Sequence, residues 1–208
     1  MAKKILKSRK PPDIKTFLDA QMYAEQLGKD IMETITEEMT EDELIAALFP
    51  ALKVAGKRVI DAAAIVQRLI DEAAGVGLAP LEPEFNARRR TANLVSDIIE
   101  APLTAPKLVE KELVGLVDDT VRINAEAREE LGLTTHITRT YSDVGLRSGT
   151  KYSEDCEWCK SRCGSWDNYR DAYEAGAFER HPGCLCEIDY HVKNTHTRSR
   201  GSYKWVNV

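Results

Sequence analysis

All five cysteines of this 208-residue chain fall within one stretch, CEWCKSRCGSWDNYRDAYEAGAFERHPGCLC, from Cys156 to Cys186. A Cys156-x-x-Cys159 pair is followed one loop later by His181-x-x-Cys184-x-Cys186. That is a metal-ligand layout. Two cysteines three apart can reach one ion, and the His-Cys-Cys set can complete a tetrahedral shell from across the loop. Sulfur and imidazole donors favour zinc over calcium or magnesium. The expected ligands are Cys156 and Cys159 with two of His181, Cys184 and Cys186. Cys163 is an extra thiol. Two disulfides and one free thiol would also fit an odd count, but only in an oxidising compartment. Inert packing is a third reading, although packing alone rarely gathers five cysteines.

Size points the same way. The part of the chain after about Tyr141 is short, and a segment well under about 80 residues seldom buries enough apolar surface to fold without a staple. A structural zinc ion can contribute roughly 10–16 kcal/mol of apparent binding free energy to such a segment.

The chain as a whole, 43% hydrophobic and 30% charged with a net charge of -5, reads as a soluble protein, and its part before the cysteine segment as helix-rich. No stretch is long and apolar enough to span a bilayer, and the basic start MAKKILKSRKPPD lacks a signal-peptide core. Five segments carry helical periodicity. The first is capped at Asp13 or Thr16 and runs on from Phe17 toward Met39. A capping box at Thr40 and Glu43 opens a short helix stopped or kinked at Pro50. A stronger helix runs from Leu52 to Ala73 and ends at Gly75, and another spans Glu84 to Glu100. The last covers Pro106 to Leu131 and ends at Gly132, with an apolar face that fades into Thr120, Asn124 and Arg128, as in a helix leaving its bundle. The basic cluster Arg88-Arg89-Arg90 is expected to pair with neighbouring carboxylates.

Beyond Gly132 the composition shifts. Thr134–Thr140 alternates as a strand, Asp167–Gly176 holds one or two helical turns, and Cys186–Val192 reads as a closing strand. All three tryptophans lie in this part. The expected fold class is α+β: an N-terminal helical bundle or set of helical arms, then a small zinc-stapled domain containing β-strands. The expected divisions are a basic N-terminus (1–15), a helical region (16–131), a Cys/His domain (132–192) and a basic tail (193–208). The chemistry for catalysis is thin. No phosphate loop, no Ser-His-Asp signature and no His-Glu-x-x-His spacing occurs, and five donors overfill a tetrahedral ion, so no catalytic residues are assigned. The enzymatic alternative is a zinc-stapled nuclease of the His-Asn-His type, using His191 or His181 as base near Asn194. A nucleic-acid-binding zinc module is a third possibility.

The C-terminal half resembles the minor head proteins of tailed phages, typified by the gene-F head-morphogenesis protein of phage Mu. The residues that carry the resemblance are Arg139 on a strand, Cys156, Cys159 and Gly164, then His181, Pro182, Cys184 and Cys186, with Ile188 and Tyr190 on the closing strand. The resemblance implies a virion component near the portal, active in head assembly or DNA delivery, and implies no enzymatic activity. Its partners would be portal and capsid proteins, with packaged DNA a further contact for the basic tail. It would reside in the virion, and in the host cytoplasm during assembly. The long helices would serve as contact or self-associating surfaces.

Overall fold

A computed structural model describes residues 12–36, 38–141, 156–184 and 186–193. The basic segments expected at the two termini, and with them Asn194 and the DNA contact of the tail, lie outside the described residues apart from Pro12–Lys15 and Lys193.

Four long helices come first. Helix α1 (Phe17–Met32) is opened by Thr16, whose hydroxyl accepts from the Asp19 amide while the Asp19 carboxylate accepts from the Thr16 amide. That reciprocal box selects Thr16 over Asp13 as the cap. Helix α2 (Glu41–Ala73) begins at the expected Thr40–Glu43 box but does not stop at Pro50. The two helices expected on either side of that proline are one. Leu48, Ala51, Leu52 and Ala55 are all fully buried around it, and their packing outweighs the hydrogen bond that Pro50 cannot donate. Pro50→Ala restores that donor, so folding stability should rise, by up to about 3 kcal/mol, in chemical denaturation. An unchanged midpoint would show that the helix has fully absorbed the proline.

Helix α3 (Ala87–Glu100) starts later than its periodicity suggests, because the Asn86 side chain accepts from the Arg89 amide and caps it there. Of the arginine cluster, Arg90 pairs with Glu112 and Asp119 while Arg88 and Arg89 are exposed. After a single 3-10 turn (Pro102–Thr104) comes α4 (Ala105–Glu130). Phe85, in the loop before α3, lies against Gly56 of α2 so closely that a Cβ there would sit 2.3 Å from its ring.

Helix α4 does not leave the bundle. Its polar end is buried, and each group there has a partner. Thr120 bonds its own helix, Asn124 exchanges hydrogen bonds with both backbone groups of Leu81, and Arg128 forms an ion pair with Asp71 at 2.6 Å. Both side chains of that pair are at most 2% exposed. The fading of the apolar face marks a buried polar seam.

Strand β1 (Thr134–Thr140) follows Gly132, whose φ of 79° turns the chain out of α4. Then come a one-turn helix α5 (Glu157–Lys160), strand β2 (Gly164–Trp166), helix α6 (Tyr169–Glu174) and strand β3 (Glu187–Lys193). The sheet is antiparallel in the order β2-β1-β3. Alternation sends Thr135, Ile137 and Arg139 of β1, and Ile188, Tyr190 and Val192 of β3, to the inner face.

That inner face joins the helices. Phe17 of α1 meets Tyr190 edge-on, with ring centroids 6.5 Å apart. Ile137, Ile188, Tyr190 and Val192 belong to the same apolar core as Leu27, Leu52 and Leu113. The separate core expected for the C-terminal part is therefore absent among the described residues; what stands apart is only the cysteine cluster. The helices are not arms: α1 and α4 turn their apolar faces onto each other, α2 and the sheet.

Candidate metal centre

Two short turns face one another beyond the sheet. In the first, Cys156 stands at the N-cap position of helix α5 and Cys159 lies within it, a spacing that puts i and i+3 on one side of a helical turn. In the second, His181-Pro182-Gly183-Cys184 closes through a bond from the Cys184 amide to the His181 carbonyl at 3.1 Å. Pro at the second position and Gly at the third, with Gly183 at φ 78°, give the type II turn that this sequence favours. Cys184 therefore lies in a turn, before β3 begins, and does not share a strand face with Cys186.

The turns bring all five expected ligands together. His181 Nε2 lies 3.2 Å from Cys156 Sγ and 2.9 Å from Cys159 Sγ, and Cys159 Sγ lies 3.7 Å from Cys184 Sγ. They form two overlapping triads, Cys156–Cys159–His181 and Cys159–Cys184–Cys186, with the donor atoms of each within 4.8 Å of one another. Cys159 belongs to both. Cys163 belongs to neither; its thiol donates to the Cys159 carbonyl at 3.2 Å.

The donor set fits a metal ion. Tetrahedral bonds of about 2.3 Å separate two sulfurs by about 3.8 Å, close to the Cys159–Cys184 spacing. The histidine is in the right tautomer. Its Nδ1 lies 2.8 Å from the Pro182 carbonyl, which can only accept, so Nδ1 carries the proton and Nε2 turns a lone pair toward the thiols.

Two buried arginines surround the thiols. Arg139, from β1, donates through Nη1 to the carbonyls of Gly176, Ala177 and Glu179 and through Nη2 to Cys184 Sγ at 3.3 Å. Burial works against its charge, but Cys184 and Cys186 more than offset that. Arg180 reaches back to α4, where it is paired with buried Asp118 through two contacts, and also donates to the Cys184 carbonyl. Burial pushes the Asp118 carboxyl up, against the pull of Arg180. Trp158 stands edge-on to His181 at 4.9 Å, with the Arg162 guanidinium 4.0 Å above its ring.

The thiols are thereby differentiated. A hydrogen bond from Cys186, helped by Arg180 and Arg139, brings Cys184 down to about 4 against the cost of burial. Burial pushes Cys159 up to about 12, and the bond to Cys184 raises Cys186. A metal would displace the protons that Cys159 and Cys186 hold more tightly than ordinary thiols.

The other histidines lie elsewhere. His136 and His191 are on the outer face of the sheet, and His196 is outside the described residues. His191 Nε2 is 3.1 Å from Asp189 Oδ2, and this bond raises the imidazole above its ordinary value. The raised histidine contributes stability below the usual imidazole range and loses it as pH rises through its folded value. The lowered Asp189 contributes above the usual carboxylate range and loses it as pH falls. Both contributions are present from about pH 4 to about pH 6.5. In an NMR titration Asp189→Asn should lower the His191 midpoint; an unmoved midpoint would break the assignment.

Sequence reading missed Asp118 and Arg180. They are 62 positions apart, and nothing local marks Asp118 as a partner of the cysteine cluster. The Pro182-Gly183 turn, by contrast, was available from residue type. Compared with family models, curated proteins and solved structures, the chain matches none.

Proposed function

We propose that the centre holds one structural zinc ion and that the protein is a virion component of a tailed phage, a minor head protein near the portal. It acts in head assembly or DNA delivery through protein–protein contacts and has no enzymatic role. The observation that carries this reading is ligand saturation. Two overlapping donor triads share Cys159 and lie against two buried arginines, so a tetrahedral ion could take all its ligands from the protein, an arrangement suited to holding a fold together. The Arg139 of the phage-type signature lies against these thiols, which gives that residue a physical reason to accompany them.

In this reading the zinc ties α5 and the His181–Cys184 turn to the end of the sheet, and the helical bundle presents the contact surfaces. Because the apolar faces of α1 and α4 are occupied internally, contacts to portal or capsid proteins fall to outward groups such as Ile45 and Phe49 of α2.

Elemental analysis of protein purified without added metal should find about one zinc per chain. Deleting the gene from a phage that encodes it should yield particles of altered composition and reduced infectivity. Unchanged particles would count against the head role, and less than about a tenth of an equivalent of zinc would remove the metal reading. Magnesium- or manganese-dependent DNA cleavage, lost in His191→Ala, would put a nuclease in its place.

A further inference from the structure

Helix α2 presents an ordered ridge to the outside. Glu41, Ile45, Phe49 and Lys53 follow one another at four-residue steps, a spacing that stacks side chains on one helix face. Asp42 stands beside Glu41, and all five are exposed. The ridge therefore runs from acid through apolar to base. Phe49 and Lys53 also border a groove of about 640 Å3 between α2 and the start of α3. Ile60, Phe85 and Ala87 give it apolar walls, and Arg88 adds a second exposed cation. A third cation there, Lys57, is held by Asp61 and Glu82. Glu84 is the one further acid in the lining, so the groove keeps a positive excess. Glu41, Asp42, Lys53 and Arg88 form no ion pair among the described residues.

We propose that two copies of this chain pair through the ridge, with their α2 helices antiparallel about a two-fold axis at Phe49. A surface that is acidic at one end and basic at the other complements itself when it runs against itself in the opposite direction. Two-fold pairing has that property, because the same patch serves on both sides and each contact is made twice. At about 1.5 Å per residue, Asp42 and Glu41 lie about 10–12 Å before Phe49 along the helix, and Lys53 about 6 Å after it. Reversing the second copy sets its two acids just beyond Lys53 of the first, within reach of the long lysine stem. Arg88, in the same groove, offers the second counter-charge.

The apolar middle of the ridge then lies at the axis. Phe49 of one copy meets Phe49 of the other, and Ile45 of each is carried toward the groove of its neighbour. An aromatic anchor ringed by charged groups is the usual anatomy of a protein–protein interface. Ile45 and Phe49, 37% and 36% exposed in the single chain, leave water on pairing. The pairing requires nothing of the head-protein reading; within that reading it makes the dimer the unit that meets other head proteins.

The test is sedimentation equilibrium of the full-length chain over a range of concentrations, with a phosphine reductant present so that disulfide-linked pairs are not counted. The expected result is a reversible species of twice the 23.3 kDa chain mass. Phe49→Asp should raise its dissociation constant at least about 30-fold, the effect of losing a central aromatic anchor, while circular dichroism stays unchanged. Two charge variants make the orientation testable. Glu41→Lys with Asp42→Lys gives a ridge without acid, and Lys53→Glu with Arg88→Glu gives one that is acidic at both ends. Each should be monomeric alone, and an equimolar mixture of the two should regain the dimer mass, because every contact across the axis is then again between opposite charges. The proposal is overturned if the wild type is monomeric up to its solubility limit, if Phe49→Asp leaves the dimer intact, or if the mixed charge variants stay apart.

Discussion

Cys159→Ser is expected to abolish metal binding and to unfold the sheet end of the molecule. It is the one residue common to both ligand triads, so its loss leaves neither intact. A structural zinc would contribute roughly 10–16 kcal/mol of apparent free energy, as large as the roughly 5–15 kcal/mol net stability typical of a domain. The damage should extend into the helices. Tyr190 and Val192 of β3 are packed in the same core as α1 and α4, so releasing β3 uncovers Phe17 and the Asp71–Arg128 pair. Tryptophan fluorescence should shift to the red and helical circular dichroism should fall in the same transition. Cys163→Ser should behave like the wild type, because that thiol is in neither triad. A Cys159→Ser protein with native fluorescence and a normal melting temperature would mean that packing alone holds this end.

The Asp118–Arg180 pair should be the next most costly to break. Both side chains are at most 3% exposed, and Arg180 also touches the Cys184 carbonyl. Asp118→Ala leaves a guanidinium buried without its counter-charge, beside Arg139, which also carries positive charge. Removing one partner of a buried pair typically costs about 3–5 kcal/mol. For a chain of this size that lowers the melting temperature by roughly 6–20 °C. The double change Asp118→Leu with Arg180→Met removes the orphaned charge and should recover part of the loss, which calorimetry would detect. A single change costing under about 1 kcal/mol would show that water reaches the pair.

Much of the local structure was legible from residue type and spacing. The Thr40–Glu43 box, the Gly75 and Gly132 stops, and the alternation of Thr134–Thr140 are rules of a few neighbouring residues, and each lies where the sequence places it. Four of the five candidate ligands follow in the same way, since Cys156-x-x-Cys159 and His181-Pro-Gly-Cys184 are short turns whose geometry their own residues dictate.

What spans the chain was not legible. Whether Pro50 ends a helix depends on what packs around it, and four buried neighbours keep that helix intact. The run Thr120, Asn124, Arg128 has the composition of a solvated face; Leu81 and Asp71, tens of residues away, make it an interior one. The change in composition after Gly132 suggests a second core, yet the inner face of the sheet is covered by α1. The physical reason is common to all three. Hydrogen bonds within a turn are set by adjacent residues, whereas burial and charge pairing depend on which distant segments the fold brings together. Sequence therefore determined the turns, caps and candidate metal ligands of this protein, and tertiary structure alone decided which polar groups lie inside, which arginines face the cysteines, and that helices and sheet share one core.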